Sequence, residues 1–310
     1  MDNIQKYRLV TRSNLDGIIS AVLLEKLDKI DDILFVHPKD VQDGKVEIGS
    51  GDIVTNLPYV DNAHMAFDHK LDASDSNIKL NPHHALFTDV ESASQIIYEY
   101  YGGDEVFGDE VLPLLTAANR SKLADFTKEE ILSPSGWELL TFLSDPRTGL
   151  GRFREFEISN YELMKRLIDI LSTKNIEEVL ESKDIKERLE LYKKSEKEFH
   201  SQLKRCVKIK GDVAVIDLRD EEIIYPGNRF VVYALFPEVS ASIHILQGLN
   251  KQNIVFAVGK SILNKSSDKD INKIVTKYGG GGHSNAGTLQ VQHLETDAVR
   301  ADLVALLKTK

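Results

Sequence analysis

Short apolar runs alternating with helical patterns constrain this fold more than any other feature. "YRLVTR" (Tyr7–Arg12) reads as a strand, and "DGIISAVLLEKLDKI" behind it spaces its apolar residues as a helix does. "ILFVHP" stops at Pro38, and "AHMAF" (Ala63–Phe67) ends at Asp68, with the helical pattern "SASQIIYEYY" further on. Strands alternating with helices predict βαβ units on a mostly parallel sheet. In such sheets ligands gather at the carboxyl ends of the strands. Asp16 and the pair Asp68-His69 fall just past predicted strand ends, and Asp52 lies in the segment before another. Their convergence is the first functional signal.

Residues 105–160 read as helices broken around Pro113, Pro134 and Pro146. From Asn175 to Arg205 the chain is charged and helical, with an apolar stripe through Ile176, Leu180, Ile185, Leu189, Tyr192 and Phe199. Beyond Gly211 the runs "DVAVIDL", "RFVVYALF", "ASIHILQ" and "NIVFAVG" are closely spaced and strand-like. A helix from Lys269 to Tyr278, a glycine run, the strand "AGTLQVQ" and a last helix to Leu307 complete the chain. The expected architecture is α/β: an N-terminal parallel-sheet domain (1–160), a helical connector (161–210) and a smaller mixed-sheet α/β domain (211–310). A ligand is expected in the cleft between the two domains.

Composition bounds the function. Hydrophobic residues at 42% and charged residues at 28% fit a globular chain rather than a disordered one. No run approaches a membrane span, "MDNIQKYRLV" lacks a signal-peptide core, and the single Cys206 excludes an internal disulfide. A cytoplasmic protein without membrane contact is therefore expected. The formal net charge of −10 repels nucleic acid at long range, which argues against duplex partners. A small phosphorylated ligand or a short single-stranded oligonucleotide, meeting a locally positive cleft, remains admissible.

"YGGGGHSNAG" (Tyr278–Gly287) is the most distinctive stretch. Consecutive glycines let a ligand approach the main chain, where exposed N–H groups make an anion-binding concavity beside His283. His83-His84 behind Pro82 reads as a surface loop, and Ser13 and Ser20 have no evident base partner.

Together with "LDG" and "DHK", these stretches resemble the DHH phosphoesterases that carry a DHH-associated C-terminal domain. "HPKDVQDG", "DIVTNLPYV", "FDHKLD", "DPRTGLGRFREFEISNYELM", "GNRF" and "GKSILN" look like an exopolyphosphatase-related branch of that family, in order along nearly the whole chain. The resemblance implies two-metal phosphoryl hydrolysis with manganese or magnesium. It places Asp68, His69 and Lys70 in the catalytic motif. Asp16, Asp52 and His69 are left as metal ligands, with His37 or Asp125 nearby. Arg229, Gly279, Gly280, Gly281, Gly282 and His283 fall on substrate-phosphate positions. The resemblance also leaves self-association into a homo-oligomer open.

This sequence departs from the family pattern at Asn14, Lys70, Asn119 and Lys122, where the pattern has acidic residues or a histidine; the last two follow the best register of "AANRSKLADF", with Asp125 as the out-of-register candidate. Asn14 lacks an aspartate's charge, and a charged lysine cannot ligate a metal. The remaining ligands would hold at most one Mn2+ or Mg2+, weakly. The four substitutions roughly replace the positive charge of two dications. The leading expectation is a degenerate two-metal site that binds a phosphorylated ligand with weak or no hydrolysis. The alternative is an active metal-dependent phosphodiesterase or exopolyphosphatase acting on short oligonucleotides, cyclic dinucleotides or polyphosphate. A third is a non-catalytic structural partner of an intact relative.

Overall fold

A computed structural model of the 310-residue chain describes residues 5–68, 83–86 and 90–309. The chain separates into two compact units, Met1–Asp125 with Ser135–Pro146 and Leu150–Leu189, and Phe126–Pro134 with Arg147–Gly149 and Glu190–Lys310. Residues 161–210, expected as a connector, are divided between them.

The strands of the first unit are β1 (Tyr7–Thr11), β2 (Ile30–Phe35), β3 (Asp52–Thr55), β4 (Met65–Asp68) and β5 (His84–Leu86). All pair in parallel, in the order β2-β1-β3-β4-β5. From β1 the chain crosses to β2 on one side and then returns to β3 on the other. The gap between the carboxyl ends of β1 and β3 is therefore the topological switch point, where doubly wound sheets form a crevice. The helices begin with α1 (Leu15–Lys26), α2 (Pro38–Gln42), α3 (Ala93–Tyr100), α4 (Asp104–Phe107) and α5 (Leu112–Leu123). They continue with α6 (Lys128–Leu132), α7 (Gly136–Ser144), α8 (Asn160–Leu171), α9 (Ile176–Leu180) and α10 (Lys183–Cys206). α6 belongs to the second unit, and α10 runs from the first unit into the second.

Residues Leu15–Leu24 of α1 are all buried, so α1 is a core helix rather than an amphipathic one. Each fully buried Leu or Ile there contributes about 1.5–3 kcal/mol. Gly17 lets this helix meet β1 closely, since a Cβ at that position would stand 2.1 Å from the Arg12 carbonyl oxygen.

The second unit adds β6 (Val207–Lys210), β7 (Val213–Asp217), β8 (Ala241–Gln247), β9 (Ile254–Lys260), β10 (Gly281–His283) and β11 (Ala286–Val291). Its helices are α11 (Val231–Leu235), α12 (Ile271–Thr276) and α13 (Thr296–Leu307). The sheet order is β10-β11-β9-β8-β7-β6, antiparallel except for β7–β8. Val213, Ile243, Ile245, Phe256 and Leu289 from one face form its core with Ile271, Val275 and Leu303 of α12 and α13. The observed class is the expected one, a parallel-sheet α/β unit with a separate mixed-sheet α/β unit. No helix among the described residues is long and apolar enough to cross a membrane.

Candidate functional site

Beside the carboxyl ends of β1 and β3 lie amides and a lysine. Thr11 and Thr55 end β1 and β3, and the Thr55 hydroxyl donates to the Thr11 hydroxyl oxygen at 2.8 Å. Three residues past β1, Asn14 caps α1, its Oδ1 accepting from the Gly17 amide at 3.0 Å. One residue past β3, Asn56 is buried and takes a left-handed backbone, φ +56°. Its Nδ2 donates to Asn14 Oδ1 at 2.9 Å, and its Oδ1 accepts from Lys122 Nζ at 2.7 Å. Asn119 lies one turn before Lys122 on the same face of α5. It accepts from the Ser92 hydroxyl at 2.5 Å and donates to Gln95 Oε1 at 3.1 Å. Both of these partners belong to the start of α3, where Ser92 is the N-cap.

Asp16 is close by in sequence but turned toward α3. Its buried carboxylate accepts from the Ser94 amide at 3.0 Å, the Ser94 hydroxyl at 2.9 Å and the Ala93 amide at 3.3 Å. A carboxylate at a helix amino terminus satisfies orphan N–H groups and the positive end of the helix dipole. Asp52 does not come to this edge. It pairs with Arg8 across the amino ends of β3 and β1, roughly 10 Å from the carboxyl end at the rise of a strand. Arg8 grips both Asp52 oxygens at 2.7 and 3.0 Å, and the Gly49 amide donates to the same carboxylate at 2.8 Å. Hydrogen bonding and charge from Asp52 raise the Arg8 pKa. Asp68 ends β4 at the carboxyl edge. His69 and Lys70 lie outside the described residues. His37 caps α2, its Nδ1 accepting from the Lys39 amide at 3.2 Å, and Asp125 is exposed just beyond α5.

In the second unit the glycine run joins α12 to the β10–β11 hairpin. Gly279 and Gly280 lie in the turn, Gly281 opens β10 opposite Thr288, and Gly282 stands opposite Gly287. A Cβ on Gly280 would fall 2.3 Å from the Thr288 carbonyl oxygen, and one on Gly282 would fall 2.3 Å from that of Ala286. Close strand packing alone thus demands these two glycines. His283 is exposed at the end of β10, its Nδ1 accepting from the Asn285 amide at 3.3 Å. Arg229 precedes α11, its guanidinium carbon 4.2 Å from the centroid of the Phe230 ring. His244 alternates along β8 with the core residues Ile243 and Ile245 and so faces the other side of the sheet. Burial and then the nearby Arg229 charge push its pKa down to about 4, which keeps its imidazole neutral.

No family model and no curated protein matches the chain. Among solved structures, the pGpG-specific phosphodiesterase PggH from Vibrio cholerae is 48% identical, with a TM-score of 0.80, over 97% of this chain and 99% of PggH. The chain belongs to the DHH phosphoesterase family. RecJ from Thermus thermophilus, solved with Mn2+, has a TM-score of 0.54 at 12% identity, covering 97% of this chain and 52% of RecJ. CDC45 from Entamoeba histolytica has a TM-score of 0.51 at 9% identity, covering 98% and 96% of the two chains. These two share the fold.

A two-ion centre in this DHH protein would need anionic oxygens at the carboxyl edge. The described residues do not fit one. Asn14, Asn56 and Asn119 are neutral, Lys122 is cationic, and the Asp16 carboxylate is occupied by the start of α3. Among the described residues, no three His, Cys, Asp or Glu side chains converge on a metal position. Two residues escaped sequence reasoning. Asn56 comes directly after Thr55 at the end of the strand-like "DIVT", so the rule that ligands collect at strand ends points to it rather than to Asp52. His244 could be read from its place between two core isoleucines, but its proximity to Arg229 has no sequence signal.

Proposed function

We propose that the chain is a phosphodiesterase that hydrolyses short linear dinucleotides of the pGpG type. The observation that carries this is the 48% identity to a pGpG-specific phosphodiesterase over 97% of the chain. A relative with that activity supports the hydrolase reading over a pocket that only binds. It also favours a dinucleotide over polyphosphate, and the net charge of −10 suits a short substrate better than a long polyanion. In the reaction, water adds to the bridging phosphorus, the bond to the 3′ oxygen breaks, and two molecules of GMP leave.

The test incubates the purified chain with pGpG, cyclic di-GMP, polyphosphate and a ten-residue oligonucleotide, each with and without added Mn2+. Conversion of pGpG to GMP at a kcat/KM at least tenfold above the other substrates is expected. If pGpG binds but is not cleaved in either condition, the protein is a binding pocket and the hydrolase reading fails. Preferred cleavage of polyphosphate would instead move it to the exopolyphosphatase reading.

A further inference from the structure

The sheet of the second unit packs one face on α12 and α13, while its other face is covered only in part. On that other face, residues in register share a side and form rows across the strands. One row runs through Ser242, Gly259 and Ala286. Tyr233 of α11 closes it, its hydroxyl 2.7 Å from that of Ser242 and donating to the Gly259 carbonyl at 3.1 Å. The next row runs through Ile216, His244, Ala257 and Thr288 to Gly281. It opens along its length: Ile216 is buried, His244, Ala257 and Gly281 are half-buried, and Thr288 is exposed. Past the imidazole, this row carries only small side chains and a bare glycine, so it forms a shallow shelf. The His244 ring makes no hydrogen bond among the described residues. Burial and the Arg229 charge keep it neutral, with one N–H donor and one nitrogen lone pair to offer.

We propose that this shelf holds a guanine of the dinucleotide, flat over Ala257 and Thr288, with His244 hydrogen-bonded to the base edge as a specificity-determining residue. The inference rests on the phosphodiesterase reading and adds the residue that selects the base. A half-buried polar ring without a protein partner gains most from a ligand that supplies one. A phosphate suits it poorly, because a neutral imidazole brings no charge to an anion. A base suits it well, since base edges present both donors and acceptors. With its N–H turned to the ligand, the imidazole matches guanine O6, where adenine carries an amino donor instead. Small residues on the shelf let a planar ring come close to the strands, as glycine in a strand often does for a ligand.

The experiment compares hydrolysis of pGpG, pApA and the deoxyribose form of pGpG by the unmodified protein, His244→Leu, His244→Gln and Ala257→Leu. The unmodified protein should prefer pGpG to pApA about tenfold in kcat/KM. His244→Leu is expected to raise KM for pGpG about tenfold and to leave pApA within about twofold, so the base preference disappears. His244→Gln keeps a donor and an acceptor and should recover part of the loss. Ala257→Leu fills the shelf and should raise KM about tenfold for both bases, which keeps the inference testable if His244→Leu does not fold. The deoxyribose substrate should lose as much as pGpG in His244→Leu, because the contact is to the base. Equal losses on pGpG and pApA in His244→Leu would overturn the inference, as would no base preference in the unmodified protein. A loss confined to the ribose substrate, or an unchanged KM in Ala257→Leu, would overturn it as well. If the unmodified protein does not cleave pGpG, the phosphodiesterase reading falls by itself. The same comparison is then read from calorimetric binding of pGpG and pApA, where the same selective loss is expected. Absence of pGpG binding by the unmodified protein would sink the inference.

Discussion

The two ends of the first sheet use opposite chemistry. At the amino end, Asp52 is a true carboxylate, yet Arg8 and the Gly49 amide consume it. At the carboxyl end, the neutral amide of Asn56 donates to Asn14 and accepts from Lys122, and the neutral Asn119 binds Ser92 and Gln95. Asp52, an acid whose type suits a metal, is tied up in a salt bridge, while Asn14, Asn56 and Lys122 beside the opposite ends of β1 and β3 carry no negative charge. Position along a parallel strand therefore outranks residue type as a guide to function. Three experiments can break or sharpen this contrast.

The largest effect is expected from Asp52→Ala. It leaves Arg8 without its partner and orphans the Gly49 amide, so stability should fall by about 2–3 kcal/mol, read as a shift in the denaturation midpoint. KM and kcat for pGpG should stay within about twofold, because removing this pair takes away no substrate contact. A large loss of activity with unchanged stability would return Asp52 to the catalytic site.

The two faces of the second sheet repeat the contrast. Ile243 and Ile245 face the core, while His244 turns the other way, toward the Arg229 charge. Burial and that charge depress the folded-state pKa of His244 to about 4, below its ordinary value of 6.5. A neutral His244 stabilises the fold fully above pH 6.5. Its contribution is lost as pH falls toward 4, because only the unfolded chain then takes up the proton. His244→Gln should therefore flatten the stability profile between pH 6.5 and 4 by about 1–2 kcal/mol. An unchanged slope in thermal melts across that window would show that another group sets it.

The smallest effect concerns metal. The carboxyl edge as described should retain fewer than two Mn2+ per chain in equilibrium dialysis. The pair Asn14→Asp and Asn56→Asp should tighten Mn2+ binding about tenfold, since hard dications prefer anionic oxygens. Two tightly held ions in the unmodified protein would mean that residues outside those described complete the centre.

Much of the fold was legible in the sequence. The alternation of "YRLVTR", "ILFVHP" and "AHMAF" with helical patterns specified a parallel sheet, because strand and helix periods differ and only βαβ crossovers join such strands. The runs after Gly211 marked the mixed sheet in the same way. The site was legible only in part. Asn14, Asn119 and Lys122 stand out in the sequence as departures from the family pattern, and all three carry hydrogen bonds at the carboxyl edge or the start of α3 that it adjoins. Asp16 is placed there too, but its carboxylate serves α3, across 78 residues of sequence from Ser94. No local pattern predicts that partner.

Sequence by itself determined the α/β class, the two sheets and the neutral or positive character of Asn14, Asn119 and Lys122. Those properties follow from periodicity and side-chain chemistry, which are local. Tertiary structure decided which end of a strand each polar residue occupies and which partner it meets. Strand register set Asp52 against Arg8, and the chain reversal at β1 and β3 brought Asn14 to Asn56. Hydrogen bonds between residues tens of positions apart depend on that register and crossover order, so only the folded chain could assign them.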